Sequence, residues 1–180
     1  HARQTPLLLI DVNNDFDFPD ADKLLRHALP AATRVAKLKE RLRTKGVHII
    51  YVNDNFGHWQ SDFREQIERC TAPHAKGRDV ARALLPEKSD YFVLKPKHSG
   101  FYSTSLDVLL GVLGVHTLIL SGFAGDNCVL YTANYAYMRD FRIVAASDCI
   151  ASESTASNDA ALAHMGERLK AGVHLSRHIY

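Results

Sequence analysis

The sequence predicts an α/β fold: a three-layer α/β/α domain built on a mainly parallel, doubly wound sheet. Short apolar, β-branched runs alternate with longer amphipathic stretches along the whole chain, which is the pattern of repeated β/α units. The connections are short. The first apolar run, PLLLIDV at residues 6–12, is almost uninterrupted, as a strand covered on both faces requires.

Residues 22–45 read as a long helix, with an interruption expected at Pro30 and a stop at Gly46. Residues 47–52 (VHIIYV) form the second strand, and 60–70 a helix. Residues 72–80, with Pro73 and Gly77, read as loop, and 91–94 as the third strand. A helix at 104–113 places Leu106, Leu109, Leu110 and Leu113 on one side and ends at Gly114. HTLIL at 116–120 is the fourth strand. Gly122 and Gly125 then give a flexible turn with Asp126 as the expected N-cap, leading into a helix at 129–138. A strand at 141–146, a helix at 158–170 and a short strand at 173–175 complete a single domain over residues 1–180. No internal repeat, low-complexity segment or linker interrupts it.

Lys and Arg number 22 against 20 Asp and Glu, so no nucleic-acid surface is indicated. The basic run at 34–45 reads as the solvated side of an amphipathic helix whose apolar side carries Val35, Leu38 and Leu42. No run is long enough to cross a membrane, and the apolar stretch near the N-terminus meets Asp11 too soon for a signal peptide. The three cysteines, Cys70, Cys128 and Cys149, are odd in number and widely spaced, which argues for free thiols in a reducing, cytoplasmic setting.

In open parallel sheets, chemistry collects at the carboxyl ends of the strands. Three polar residues stand there: Asp11 after LLLI, Lys95 after YFVL, and Cys128 just beyond LIL. Alone, each has a plain structural reading: a cap or ion-pair partner, a solvated lysine, a small buried hydrophobe. Together they form a nucleophile, a base and a cation. A cysteine at a helix start is expected to favour thiolate, because unpaired amides and the helix dipole stabilise the anion and can also hold an oxyanion. Asp11 would take the thiol proton and Lys95 would keep the group charged and placed.

This Asp–Lys–Cys order resembles the isochorismatase-like cysteine hydrolases, which include nicotinamidases, N-carbamoyl amidases and isochorismatases. The resemblance spans almost the whole chain. LLIDVNNDF at residues 8–16 is similar to the opening strand motif, KPKHSGF at 95–101 with Thr104 and Leu106 to the lysine motif, and SGFAGDNC at 121–128 with Thr132, Ala133 and Ala136 to the nucleophile motif. It implies Asp11 as acid and base, Lys95 as charge partner and Cys128 as nucleophile. The amides of Ala124 and Cys128 would hold the oxyanion, beside a cis Phe123–Ala124 peptide. Gly125 stands where the family commonly has Thr. Phe56 stands where nicotinamidases have the first histidine of a metal motif, which leaves Asp54 and His58 too few ligands. Neither a metal nor another cofactor is expected.

Phe16, Trp59, Phe101 and Phe123 are candidates to wall a pocket for a small planar substrate, or else ordinary core and interface residues. The expected activity is hydrolysis of a small-molecule amide or related C–N bond through a Cys128 thioester. Vinyl ether hydrolysis, as in isochorismatases, and a non-catalytic interaction module on the same fold are the alternatives. A homo-oligomer, dimer or tetramer, is expected from the resemblance and from Tyr131, Tyr135 and Tyr137 on one helix.

Overall fold

The structure, a computed structural model, describes residues 2–180. Its sheet has six parallel strands: β1 (Leu7–Ile10), β2 (Ile49–Asp54), β3 (Tyr91–Lys95), β4 (Thr117–Phe123), β5 (Arg142–Ala151) and β6 (Gly172–His174), in the order β3-β2-β1-β4-β5-β6. The strand order reverses between β1 and β4. The doubly wound fold is therefore as the alternating pattern predicts, and Asp11 and Cys128 follow the two strands that flank the switch point.

The all-apolar β1 is explained by its two covered faces. Leu7 and Leu9 pack with Val35, Leu38 and Leu42 of α1 (Ala21–Arg43) on one side. Leu8 and Ile10 pack on the other with Leu106 and Leu110 of α4 (Leu106–Val112) and Ala133 of α5 (Leu130–Tyr137). All four β1 side chains are fully buried, each contributing roughly 1.5–3 kcal/mol of hydrophobic stabilisation. The remaining helices are α2 (Phe63–Thr71), started by Asp62 Oδ1 accepting from the Glu65 amide at 2.9 Å, α3 (Arg78–Ala83), and α6 (Thr155–Arg168), capped by Ser154.

Several local expectations change. Helix α1 runs through Pro30 without a break, because Pro30 and Arg26, whose carbonyl loses its donor, both face solvent. Its basic side is not wholly solvated: Lys39 is buried, donating to the Leu85 carbonyl at 2.8 Å and the Tyr51 hydroxyl at 3.3 Å. Burial lowers the pKa of that ammonium. The segment read as loop at 72–80 leads into α3, whose Val80 fills the α1 side of the core. Strand β5 continues to Ala151 because a bulge absorbs the extra residues, pairing passing from Leu120↔Ala145 to Gly122↔Ile150.

Candidate active site

Asp11 is the first residue beyond β1 and adopts φ 53°, in the left-handed region, which turns its side chain away from the strand direction. Its amide remains in the ladder, donating to the Val52 carbonyl at 3.0 Å. Near the end of β4, Gly122 has φ 111°, and a Cβ there would lie 2.1 Å from the Ile10 carbonyl oxygen. Only glycine lets the two central strands approach this closely just before the cysteine. The Phe123–Ala124 peptide that follows is cis, as the resemblance implied.

The turn carrying Cys128 is a single π-helical turn, Gly125–Val129, running directly into α5. Asp126 is not its side-chain cap. The turn is held by Ser152 of the segment after β5, whose Oγ accepts from the Asp126 amide at 3.1 Å and donates to Asn158 Oδ1 at 2.8 Å. The same asparagine explains Gly125: a Cβ at that position would lie 2.4 Å from Asn158 Oδ1. Space that a threonine side chain would need is occupied by the polar clamp on the turn. Thr132, one helical turn past the cysteine, donates to the Cys128 carbonyl at 2.7 Å and accepts from the Gly100 amide at 3.0 Å. One hydroxyl thus ties the cysteine helix to the lysine loop.

Lys95 ends β3 with its side chain fully buried, and its Nζ lies 3.0 Å from Asp11 Oδ2 and 3.3 Å from Asp54 Oδ2. Asp54 reaches Asp11 by a second route, its amide donating to Asp11 Oδ1 at 2.6 Å. The Cys128 thiol stands close enough to Asp11 and Lys95 for each to influence its titration. Asp11, Lys95 and Cys128 are therefore brought together, with Asp54 as a fourth member that the sequence reading placed only in a broken metal motif. Its signal was available: Asp54 ends an apolar strand just as Asp11 does.

Burial raises the Asp11 carboxyl above its ordinary value, against the opposing pull of Lys95, the Cys128 thiol and the Asp54 amide. Burial alone would lower the Lys95 ammonium, but Asp11, Cys128 and Asp54 outweigh it and raise it. The Cys128 thiol is pushed well up, first by burial and then by the Asp11 charge, with Lys95 opposing. The expectation of a resting thiolate is corrected here: desolvation and a neighbouring carboxylate exceed what the start of a helix offers. Cys128 is a thiol poised against a base, and the group as a whole retains a proton at neutral pH.

The donor set around Asp54 does not suit a metal. Its Oδ2 pairs with Lys95 and its Oδ1 accepts from the Phe56 amide at 2.8 Å. Among the described residues no cluster of His, Cys, Asp and Glu is arranged to hold an ion.

Of the four aromatic candidates, Phe16 and Phe123 are fully buried on the α1 side of the sheet and Phe101 is buried on the other, stacked on Phe141. Trp59 is 74% exposed and lines a cleft of about 610 Å³ at the carboxyl ends of β2 and β3, where Lys95 lies. Tyr102, which the sequence did not single out, lines the same cleft.

Comparison with known proteins agrees with this picture. Residues 5–177 match the Isochorismatase domain family. The chain is 41% identical over 159 residues to the uncharacterized isochorismatase family protein YaaI of Bacillus subtilis (strain 168), covering 88% of this chain and 87% of that protein. Among solved structures, a cysteine hydrolase from Pseudomonas syringae pv. phaseolicola 1448A superposes with a TM-score of 0.81 at 21% identity, over 99% of this chain and 92% of that one. The N-carbamoylsarcosine amidase from Thermoplasma acidophilum gives a TM-score of 0.72 at 26% identity, over 98% of both chains.

Proposed function

The chain belongs to the isochorismatase family, and on that footing we propose that it cleaves a small-molecule amide or ureide through a thioester on Cys128. It is a hydrolase acting on small-molecule C–N bonds, the chemistry that the name of the Thermoplasma amidase also describes. The observation that carries the reading is the buried Asp11–Lys95 ion pair at 3.0 Å, placed where its charges act on the Cys128 thiol. A scaffold that only bound partners would have no use for burying such a group, since buried charges add little stability.

In the proposed cycle Asp11 takes the thiol proton as sulfur attacks the carbonyl carbon, and the carbonyl oxygen becomes an oxyanion held by the Ala124 and Cys128 amides. The C–N bond breaks, its electrons stay on nitrogen, and Asp11 returns the proton there, releasing ammonia or an amine. Water then attacks the thioester carbonyl while Asp11 accepts its proton. When the C–S bond breaks, that proton passes to sulfur and restores the thiol. Lys95 stays protonated throughout, and Asp54 holds its ammonium from the far side. No step requires a metal. The free thiols suit a reducing compartment, the cytoplasm. Exposed Tyr131, Tyr137 and Met138 on and just after α5 suit a second copy of the chain.

The test is ammonia release across a panel of small amides and ureides, with mass spectrometry of the protein quenched during turnover. An acyl adduct on Cys128, and no turnover in Cys128→Ala, are expected. Turnover that survives in Cys128→Ala would overturn the assignment.

A further inference from the structure

Strand β3 stands at one end of the sheet, with β2 on one side and no strand on the other. The Asn55 amide donates to the Lys95 carbonyl at 3.1 Å, so the main-chain groups of Lys95, and by alternation those of Val93 and Tyr91, face β2. Those of Phe92 and Leu94 face outward, and among the described residues no hydrogen bond reaches them. The next outward positions are closed. The Asp90 amide already donates to the Glu87 carbonyl at 3.0 Å, and Pro96 has no N–H. The open edge is therefore the N–H and C=O groups of Phe92 and Leu94.

No charged side chain blunts this edge at its centre, which instead carries Phe92, 58% exposed although it stacks on Phe63 of α2 at 4.8 Å between ring centroids. Beside it runs a groove of about 570 Å³, with Phe63, Ile67 and Phe92 among its apolar residues. Asp62, Glu68, Glu87 and Asp90 line it against Arg64 and Lys88. Arg43 pairs with Glu87 and Asp90, and an excess of negative charge remains. At the other end of the strand, Lys97 is exposed and belongs to no ion pair among the described residues.

We propose that β3 pairs antiparallel with β3 of a second copy, about a two-fold axis through Val93, joining the two sheets into one. The open groups dictate that register. Opposed residues that both face the partner exchange two hydrogen bonds. Setting Phe92 against the partner's Leu94, and Leu94 against the partner's Phe92, uses every open group of both chains and asks nothing of Asp90 or Pro96. Phe92 and Leu94 lie on the face of the sheet that α1 and α2 cover, so each Phe92 gains a leucine beside it. The same alignment sets Lys97 of each copy next to the turn of the other that holds Glu87 and Asp90, and the axis repeats the match. Acid before the strand and base after it make the edge complementary to its own reversed copy, which favours a second chain over a foreign peptide. The strand that ends in Lys95 then has a neighbour on both sides.

Light scattering and residue-resolved hydrogen exchange test this, and neither depends on turnover. On dilution of the wild-type protein, exchange at the Phe92 and Leu94 amides is expected to accelerate at least about tenfold over the range in which the scattering mass halves, while the inward amides of Val93 and Lys95 stay protected. Phe92→Lys is expected to exchange fast at both outward amides and to halve the mass at every concentration where the wild type is paired; Phe92→Leu is expected to behave as wild type. A mass that stays at 20.1 kDa, outward amides that exchange freely while the mass is doubled, or slow exchange that survives Phe92→Lys would each overturn the proposal. If Phe92→Lys also loses protection at Val93 and Lys95, it has unfolded, and the dilution series of the wild type decides alone.

Discussion

Replacing Lys95 with methionine removes one positive charge from a fully buried site and leaves two carboxylates facing an apolar thioether. At an effective dielectric constant of about 20, charges separated by 3.0 and 3.3 Å attract by about 5 kcal/mol each. Desolvation offsets much of that, and loss of one partner from a buried pair costs about 3–5 kcal/mol. The protein has an escape: one carboxyl can take up a proton. Its ordinary value is 3.8, so keeping it neutral in the folded state at pH 7 costs about 4 kcal/mol, at roughly 1.4 kcal/mol per pH unit. This caps the loss. A raised folded-state value means that the stability is fully present below 3.8 and is lost as pH rises through the higher folded value. The deficit of Lys95→Met relative to wild type is therefore about 3–4 kcal/mol at pH 7, shrinking toward roughly 2 kcal/mol at pH 5. Urea unfolding followed by circular dichroism at both pH values, at one fixed protein concentration, measures it. A deficit below about 1 kcal/mol at pH 7, or one unchanged at pH 5, would refute the reasoning.

Gly122→Ala is expected to cost more than about 4 kcal/mol, because its Cβ would overlap the Ile10 backbone at positive φ; Gly111→Ala, where a Cβ meets nothing within 4 Å, is expected to gain about 0.5–1 kcal/mol. Thermal unfolding of the pair checks both. Iodoacetamide is expected to label Cys128 before Cys70 and Cys149, because all three thiols are raised but those two are buried, whereas Cys128 is only partly buried and has Asp11 beside it to take its proton. Peptide mapping that finds either of them modified first contradicts this ordering. Light scattering at micromolar concentration is expected to give at least twice the chain mass of 20.1 kDa, and a constant value near that mass excludes the second copy.

The sheet was legible because the chemistry of a two-sided strand is written locally: PLLLIDV and HTLIL have no other comfortable home. The Asp11, Lys95 and Cys128 positions followed from that placement, since each ends or just follows an apolar run. What escaped depends on partners distant in sequence. Asp54 pairs with Lys95 across 41 residues, and Asn158 determines why position 125 has no side chain. The state of the thiol was misjudged for the same reason. The sequence displays the helix that follows Cys128, whereas the burial that dominates its titration arises only when the sheet is assembled. The aromatic residues divide likewise, as hydrophobicity alone does not distinguish a core ring such as Phe16 from an open one such as Trp59.

The pairing of β1 with β4 has a consequence for how the molecule comes into being. β1 lies between β2 and β4, with Leu7 aligned to Ile119 across more than a hundred residues of chain. A nascent polypeptide that has left the ribosome only through β3 already carries Asp11, Asp54 and Lys95, yet β1 still has one open edge, a ready template for another chain. Until β4 arrives, an apolar strand that will become the centre of the sheet is a boundary. The interval between the emergence of β3 and β4 is thus when the chain is most exposed to aggregation, and the contact that closes it is also the one that delivers the cysteine.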